Sequence, residues 1–212
     1  MNSTEKDISY TSYNSYSTLN NLTQDTQRVW FVCHGMGYLS RYFLKYFKGL
    51  NEQDNYIIAP QAPSKYYQQP KMYVGANWLT RDNTLQGMGN IINYFDAIFK
   101  NESLPPKDKE FIVLGYSQGV SVALRYLAKR QIQCDKLIIH SGGIPKELES
   151  QDFKYLNPNC KVYLVYGNND EYLTEERLKD EFEKAKALFP EQLKVCPFEG
   201  NHMVNVDFIK NL

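Results

Sequence analysis

The stretch from Lys109 to Val120 constrains the fold of this chain more than any other. Phe111–Leu114 is a run of four apolar residues, which is typical of a strand buried on both faces of a parallel sheet. Apolar positions then recur with helical period, at Val120, Ala123, Leu124 and Leu127. Between strand and helix lies Gly-Tyr-Ser-Gln-Gly, a G-x-S-x-G pentapeptide centred on Ser117. The sequence therefore predicts a sharp turn that exposes the serine hydroxyl and lets strand and helix approach closely at the two glycines.

Apolar runs alternate with helical periods along the rest of the chain. Further strands are predicted at residues 29–33, 55–59, 137–140, 162–167 and 193–196, and helices at 39–50, 84–100, 120–127, 174–189 and 204–209. Strands that alternate with helices favour a mostly parallel central sheet with helices on both faces. The sequence thus predicts an α/β fold, and 212 residues suit one domain spanning 1–212.

Two segments do not follow this alternation. Tyrosines stand at every third position from Tyr10 to Tyr16, and this spacing matches neither strand nor helix cleanly. We expect an edge strand or hairpin within residues 1–27, partly flexible, with low-complexity disorder as the alternative. Residues 60–78 are predicted to form one long loop, and loops of that length tend to be functional.

Composition argues against several classes of partner. The 24 basic and 24 acidic residues balance, so bulk charge does not favour nucleic acid or an anionic membrane as a partner. The polar start, Met1–Asp7, and the lack of a long apolar run predict a cytoplasmic protein without a membrane span. Four cysteines without a C-x-x-C pair suit reduced, packed thiols better than disulfides or a zinc site. The oligomeric state stays open.

The residues that follow the strands are candidates for chemistry, because ligands bind outside the carboxyl ends of such a sheet. A serine becomes a nucleophile when a base takes its proton, and histidine is the usual base. The chain has three histidines. His34, in a glycine-rich turn, is expected to brace its loop, and His140 to pack at a strand end. His202 follows Gly200-Asn201 after the last strand and is the predicted base, because it completes the order serine, acid, histidine.

An acid must orient that base, and a tetrahedral intermediate needs hydrogen-bond donors. Asp170 and Glu171 both follow the strand that ends at Gly167, and Asp170 is preferred because a short carboxylate loses less side-chain freedom. The predicted oxyanion donors are the backbone N–H groups of Gln118, at a helix N-terminus, and Met36, in the loop after the first buried strand.

These motifs, in this order, resemble the α/β-hydrolase superfamily, and within it the small carboxylesterase, phospholipase and acyl-protein thioesterase group. The resemblance rests on His34-Gly35-Met36-Gly37, Ala59-Pro60-Gln61-Ala62-Pro63, Asn77-Trp78, Gly115–Gly119, Asp170 and Gly200-Asn201-His202. It implies a serine hydrolase of carboxylic esters or thioesters that uses no cofactor or metal and has no large lid. This chain departs from the group at Tyr38 and at Leu79–Asp82, where acidic residues are usual.

The predicted function is therefore hydrolysis of small, soluble esters or thioesters through an acyl-enzyme on Ser117. The alternatives are an acyltransferase that uses the same intermediate and a non-catalytic binding member of the fold. Four aromatic residues of the long connection are candidates for an acyl or aryl pocket, although packing of the loop on the core explains them equally well. They are Tyr66, Tyr67, Tyr73 and Trp78.

Overall fold

A computed structural model describes residues 3–212 and is built around a seven-stranded sheet. The strands are β1 Tyr16–Leu19, β2 Arg28–Cys33, β3 Asn55–Pro60, β4 Ser64–Gln68, β5 Tyr73–Asn77, β6 Glu110–Tyr116, β7 Lys136–His140, β8 Lys161–Gly167 and β9 Leu193–Phe198. The helices are α1 Ser40–Phe43, α2 Thr84–Asn101, α3 Gln118–Arg130, α4 Glu175–Leu188 and α5 Val206–Lys210, with 3₁₀ turns at Leu44–Phe47 and Ser150–Phe153.

The central sheet has the strand order β1-β3-β2-β6-β7-β8-β9. Strand β1 runs antiparallel to β3, and the other neighbouring pairs are parallel. Helices α2, α3 and α4 contribute to the apolar core on one face, whereas α1, the first 3₁₀ turn and α5 contribute to the core on the other. The predicted fold class, a mostly parallel sheet with helices on both faces, is confirmed.

The central strands are apolar without interruption because both of their faces are covered. In β2, Phe31 belongs to one core, whereas Trp30 and Val32 belong to the other. Strand β6 alternates in the same way, with Val113 facing the first core and Leu114 the second. Successive side chains of a strand point to opposite faces, so a continuous apolar run serves two cores at once.

The edge strand predicted near the N-terminus is β1. Tyr16 pairs with Pro60 in the antiparallel register, and the Tyr16 hydroxyl donates to Glu102 Oε1 at 2.5 Å. Residues 3–15 carry no regular secondary structure, and Tyr10 and Tyr13 are exposed. A single strand forms rather than a hairpin, and residues 1–2 of the predicted segment lie outside the described range. Assignment of residues 1–212 to one domain stays a prediction.

The prediction of one long loop over residues 60–78 is wrong. Strands β4 and β5 pair there as an antiparallel hairpin, separate from the main sheet. Every residue of β4 is at least partly exposed, so the sequence lacks the alternation of apolar and polar positions that marks a strand with one buried face.

Two predicted helices also differ in detail. The segment after Gly37 forms only the short helix α1 and a 3₁₀ turn rather than one helix over 39–50. In α2, the helical period that predicts the helix over 84–100 also places Leu85 on the buried face, but Leu85 is 91% exposed because the first turn extends beyond the packed core. Within residues 3–212, no helix has the length and apolar character needed to cross a membrane.

Candidate active site

Ser117 lies in a strained turn at the centre of the sheet, between β6 and α3. Its backbone has φ 52° and ψ −121°, a conformation that non-glycine residues adopt rarely and at a cost of about 1–3 kcal/mol. The turn is held by two backbone hydrogen bonds: Ser117 N–H donates to the carbonyl oxygen of His140 at 2.9 Å, and Val120 N–H donates to that of Ser117 at 3.1 Å. The predicted strand-to-helix turn is therefore present.

Two glycines lie at close approaches of the backbone here. A Cβ on Gly119 would overlap the carbonyl oxygen of Cys33, so α3 could not pack against the end of β2. A Cβ on Gly35 would lie 3.1 Å from the Cβ of Ser117. The loop after β2 therefore passes directly beside the serine.

Ser117, His202 and Asp170 form a continuous chain of hydrogen bonds. The Ser117 Oγ lies 2.9 Å from Nε2 of His202, and Nδ1 of His202 lies 2.8 Å from Oδ2 of Asp170. A carboxylate accepts only, so Nδ1 carries the proton and Nε2 is free to accept from the serine hydroxyl. The structure thus brings together the three side chains that the sequence selected, although they come from three separate loops.

Asp170 is held more firmly than its neighbour Glu171. Asp170 is 6% exposed, and its Oδ1 accepts hydrogen bonds from Tyr172 N–H at 2.9 Å and Leu173 N–H at 3.2 Å. Glu171 is exposed, and its Oε2 accepts from the backbone N–H of His202 at 3.2 Å. Asp170 therefore contacts the imidazole, whereas Glu171 contacts the main chain of the same histidine.

The two predicted oxyanion donors belong to the segments next to Ser117. Gln118 N–H is at the start of α3, where the helix dipole is positive, and Met36 follows Gly35 in the adjoining loop. Within residues 3–212, neither N–H donates to a backbone carbonyl. The binding of an anionic oxygen by these two groups stays a prediction.

The loop that contains Met36 is anchored to the β4–β5 hairpin. Gly37, which has φ +86°, donates its N–H to the carbonyl oxygen of Ala76 at 2.8 Å. The Gly37 carbonyl accepts from Nε2 of Gln68, also at 2.8 Å. The segment predicted as an irregular loop therefore supports the position of Met36.

The other two histidines are buried, and each matches its own prediction: His34 braces the loop after β2, and His140 packs at the end of β7. His34 accepts from Ala62 N–H at 3.2 Å and donates to the Gly35 carbonyl at 2.8 Å, and burial lowers its pKa to about 4. His140 accepts from Asn205 N–H at 2.9 Å, and burial lowers its pKa to about 3. Neither ring contacts Ser117 through a hydrogen bond in the described range.

The four aromatic residues predicted for a pocket occupy different environments. Trp78 is 2% exposed, packs edge-on against Phe95 and donates its indole N–H to the His34 carbonyl at 2.7 Å. The other three lie on the hairpin and are exposed. Tyr66 and Tyr73 share the hairpin face of Gln68, which contacts Gly37, whereas Tyr67 lies on the opposite face.

Sequence reasoning missed several residues that contact this site. Tyr116 and Tyr172 pack against His202, with ring centroids 5.4 and 4.8 Å from the imidazole centroid. The amide of Gln118 also connects α3 to the end of β5, because its Nε2 donates to Asn77 Oδ1 at 2.6 Å. The sequence indicated that these residues lie near the site only through their positions in the chain, close to Ser117 and Asp170. Which atoms they contact depends on packing that no motif records.

Two surface cavities lie away from this site. One, of about 560 Å³, is lined by residues 22–24, 26, 27, 108 and 109, near the N-terminal ends of β2 and β6. Another, of about 320 Å³, lies between β8 and α5. Neither is lined by a residue of the Ser117, His202 and Asp170 chain. Within residues 3–212, no cluster of three or more His, Cys, Asp or Glu side chains is arranged to hold a metal ion.

Known proteins share sequence features and the fold of this chain. A family profile described as phospholipase/carboxylesterase matches residues 14–211. No curated protein sequence matches the chain significantly. Among solved structures, acyl-protein thioesterase 2 of Zea mays is 15% identical with a TM-score of 0.68, and the alignment covers 94% of this chain and 97% of that one.

Two further structures have the same fold. Esterase PE8 is 20% identical with a TM-score of 0.70, covering 94% of this chain and 97% of that one. A phospholipase/carboxylesterase from Dyadobacter fermentans is 18% identical with a TM-score of 0.62, covering 95% and 97%. At these identities the structural likeness shows the fold alone.

Proposed function

Because the chain belongs to the phospholipase/carboxylesterase family, we propose that it is a serine hydrolase that cleaves carboxylic esters or thioesters through an acyl-enzyme on Ser117. One observation carries the proposal: the hydrogen-bond chain from Ser117 Oγ through His202 to Asp170, with distances of 2.9 and 2.8 Å. This arrangement is the one that activates a serine hydroxyl near neutral pH, when the hydroxyl alone is a weak nucleophile.

In the first half of the reaction, Ser117 Oγ attacks the substrate carbonyl carbon while His202 Nε2 takes the hydroxyl proton. The tetrahedral intermediate then collapses, the bond to the leaving alcohol or thiol breaks, and His202 returns the proton to that leaving group. In the second half, water attacks the acyl-enzyme with the same base, and the acid is released. Asp170 stabilises the imidazolium and holds its orientation throughout.

The oxyanion of each tetrahedral intermediate is bound by the N–H groups of Met36 and Gln118. The N–H of Gln118 suits this role because it directly follows Ser117 and is the first N–H of α3, at the positive end of the helix dipole. Gly35, at which an added Cβ would lie 3.1 Å from the Ser117 Cβ, brings the Met36 loop close to the serine. Since both donors belong to the main chain, they need no side-chain reorganisation during the reaction.

The substrate proposed for this site is a small, soluble ester or thioester. The β4–β5 hairpin, which has five residues in each strand, contacts the Met36 loop, and its small size favours a small substrate over a bulky lipid that a lid would cover. Tyr66 and Tyr73 are the best placed of the predicted pocket residues, because they share the hairpin face that contacts this loop. The contribution of Tyr67 stays a prediction, and Trp78 is buried, with its indole N–H bound to the His34 carbonyl rather than open to a substrate.

Replacing Ser117 by Ala tests the nucleophile. We expect S117A to lose nearly all turnover of p-nitrophenyl acetate and butyrate and to lose labelling by a fluorophosphonate, with an unchanged thermal midpoint. The matched control is S121A, which removes a hydroxyl one turn further along α3, where Ser121 Oγ accepts from Arg125. S121A should keep wild-type turnover and labelling.

The same experiment separates the alternatives. Wild-type protein that forms no adduct at Ser117 would favour a binding protein. An adduct without hydrolysis, but with acyl transfer to an added alcohol or amine, would favour an acyltransferase. Rates across p-nitrophenyl esters of rising chain length test the substrate class, and activity confined to long emulsified chains would contradict the proposal of a small substrate.

A further inference from the structure

Two side chains, neither of which belongs to the hydrogen-bond chain of Ser117, His202 and Asp170, bind the main chain of His202. The hydroxyl of Tyr116 donates to the carbonyl oxygen of His202 at 3.1 Å. The backbone N–H of His202 donates to the carboxylate of Glu171 at 3.2 Å. One side chain therefore binds the acceptor and another binds the donor of the same residue's main chain.

The imidazole ring is also enclosed by two aromatic rings. The ring of Tyr116 lies 5.4 Å from it at an interplanar angle of 33°, and the ring of Tyr172 packs edge-on at 4.8 Å and 68°. Asp170, Glu171 and Tyr172 are consecutive and contact His202 in three ways: at Nδ1, at the backbone N–H and at the ring. The loop after β8 thus fixes both the position and the orientation of the His202 imidazole.

Tyr116 is suited to act as a permanent donor. It is almost fully buried, and burial, with a smaller contribution from the neighbouring Tyr38, raises the pKa of its hydroxyl above the ordinary value, so the group stays protonated. It also precedes Ser117 at the end of β6. The hydroxyl therefore connects the backbone of His202 directly to the strand that carries the serine.

We propose that Tyr116 and Glu171 are positioning residues, which hold the main chain of His202 so that its Nε2 stays within hydrogen-bond distance of Ser117 Oγ. This inference rests on the proposed hydrolase function. The residue before His202 in its turn is Asn201, preceded by Gly200, and a turn of this kind does not fix the backbone by itself. A displacement of about 1 Å in a reacting group costs about 100-fold in rate, so small losses of support are measurable.

The loop has further anchors, and these limit the expected effect of one substitution. Asn169 N–H donates to the Gly200 carbonyl at 2.9 Å, and Asn205 N–H donates to His140 Nε2 at 2.9 Å. Removal of one of several hydrogen bonds should loosen His202 without releasing it. We therefore expect an effect of about 3- to 10-fold, the size that one net hydrogen bond supports.

The first test is Tyr116→Phe, with Tyr38→Phe as the matched control. Tyr38 packs edge-on against Tyr116 at 6.0 Å, but its hydroxyl pairs with that of Tyr46 at 2.9 Å and does not contact His202. We expect Y116F to lower kcat for p-nitrophenyl butyrate by about 3- to 10-fold. KM should stay within about twofold, because the change affects proton transfer more than substrate binding. Y38F should change neither constant.

The second test compares two replacements of Glu171. Glu171→Gln keeps an oxygen that accepts from His202 N–H, whereas Glu171→Ala removes it. We expect E171A to lower kcat by about 3- to 10-fold and E171Q to stay within about twofold of the wild type. Equal loss in both variants would overturn the positioning role of Glu171, because it would show that the charge rather than the hydrogen bond matters.

Labelling by a fluorophosphonate separates failure of this inference from failure of the proposed function. If wild-type protein neither labels at Ser117 nor hydrolyses the ester, the hydrolase proposal fails. If it does both, but Y116F reacts with the probe and turns over at wild-type rates, the positioning inference fails. A lower thermal midpoint in Y116F with unchanged kcat would also overturn it, because that result indicates a purely structural hydroxyl.

Discussion

Replacing Asp170 by Asn tests whether this residue sets the tautomer of His202. Oδ1 of Asp170 accepts from Tyr172 N–H and Leu173 N–H, at 2.9 and 3.2 Å, and Oδ2 accepts from His202 Nδ1 at 2.8 Å. In D170N the side-chain carbonyl should stay on the two backbone donors, because the NH₂ group of an asparagine cannot accept from Tyr172 N–H or Leu173 N–H. The NH₂ group then faces His202 Nδ1, so a donor replaces an acceptor.

This exchange forces the imidazole into the wrong tautomer. Nδ1 must present its lone pair to the new NH₂ group, and the ring proton moves to Nε2, which faces Ser117 Oγ. A protonated Nε2 cannot take the serine proton. The same substitution in a serine protease triad lowers kcat about 10⁴-fold, which corresponds to about 5.4 kcal/mol of activation free energy. Because Asn matches Asp in shape, we expect D170N to fold normally.

The assay measures kcat and KM for p-nitrophenyl butyrate together with the thermal midpoint. The control is D180N, which removes an exposed carboxylate of α4 and should keep wild-type turnover. We expect D170N to lose about 10⁴-fold in kcat with KM changed by less than about threefold. A D170N protein that folds normally and retains more than about one tenth of wild-type kcat would refute the tautomer argument.

Three further predictions concern stability. Burial lowers the pKa of His34 to about 4 and of His140 to about 3. An unfolded histidine binds a proton below about pH 6.5. The free energy of unfolding should therefore fall as the pH drops from about 6.5 towards 4, by up to about 1.4 kcal/mol per pH unit for each histidine. Urea denaturation at several pH values measures this, and a free energy of unfolding that does not change with pH would contradict the prediction. In G119A the new methyl group overlaps the Cys33 carbonyl, so we expect the free energy of unfolding, measured by urea denaturation, to fall by about 1–3 kcal/mol and esterase activity to decrease. Wild-type stability and activity in this variant would contradict the close packing. Thr174 caps α4 because its Oγ1 accepts from the backbone N–H of Arg177 at 3.4 Å. In T174A we expect the free energy of unfolding, measured by urea denaturation, to fall by about 0.5–2 kcal/mol while kcat stays unchanged. An unchanged urea midpoint would show that the cap contributes little to stability.

The architecture was largely readable from the sequence because its strongest signals are local. The run Phe111–Leu114 is buried on both faces, as its continuous apolar character predicted. The helical period of α3 likewise gave the right buried face, through Val120, Ala123 and Leu127. The β4–β5 hairpin escaped prediction because its strands are mostly exposed and pair only with each other, so burial imposed no alternation on their sequence.

The sequence by itself determined the residue types at the candidate site and the order of Ser117, Asp170 and His202. It could do so because parallel strands end at one edge of the sheet, which brings distant loops together whatever the details of packing. Only the tertiary structure decided that Glu171 binds the backbone N–H of His202 and that Tyr116 binds its carbonyl oxygen. A tyrosine has an apolar ring and a polar hydroxyl, and it suits a buried contact and an exposed surface equally well. The long-range packing of β6 against the loop after β9 selected the buried contact.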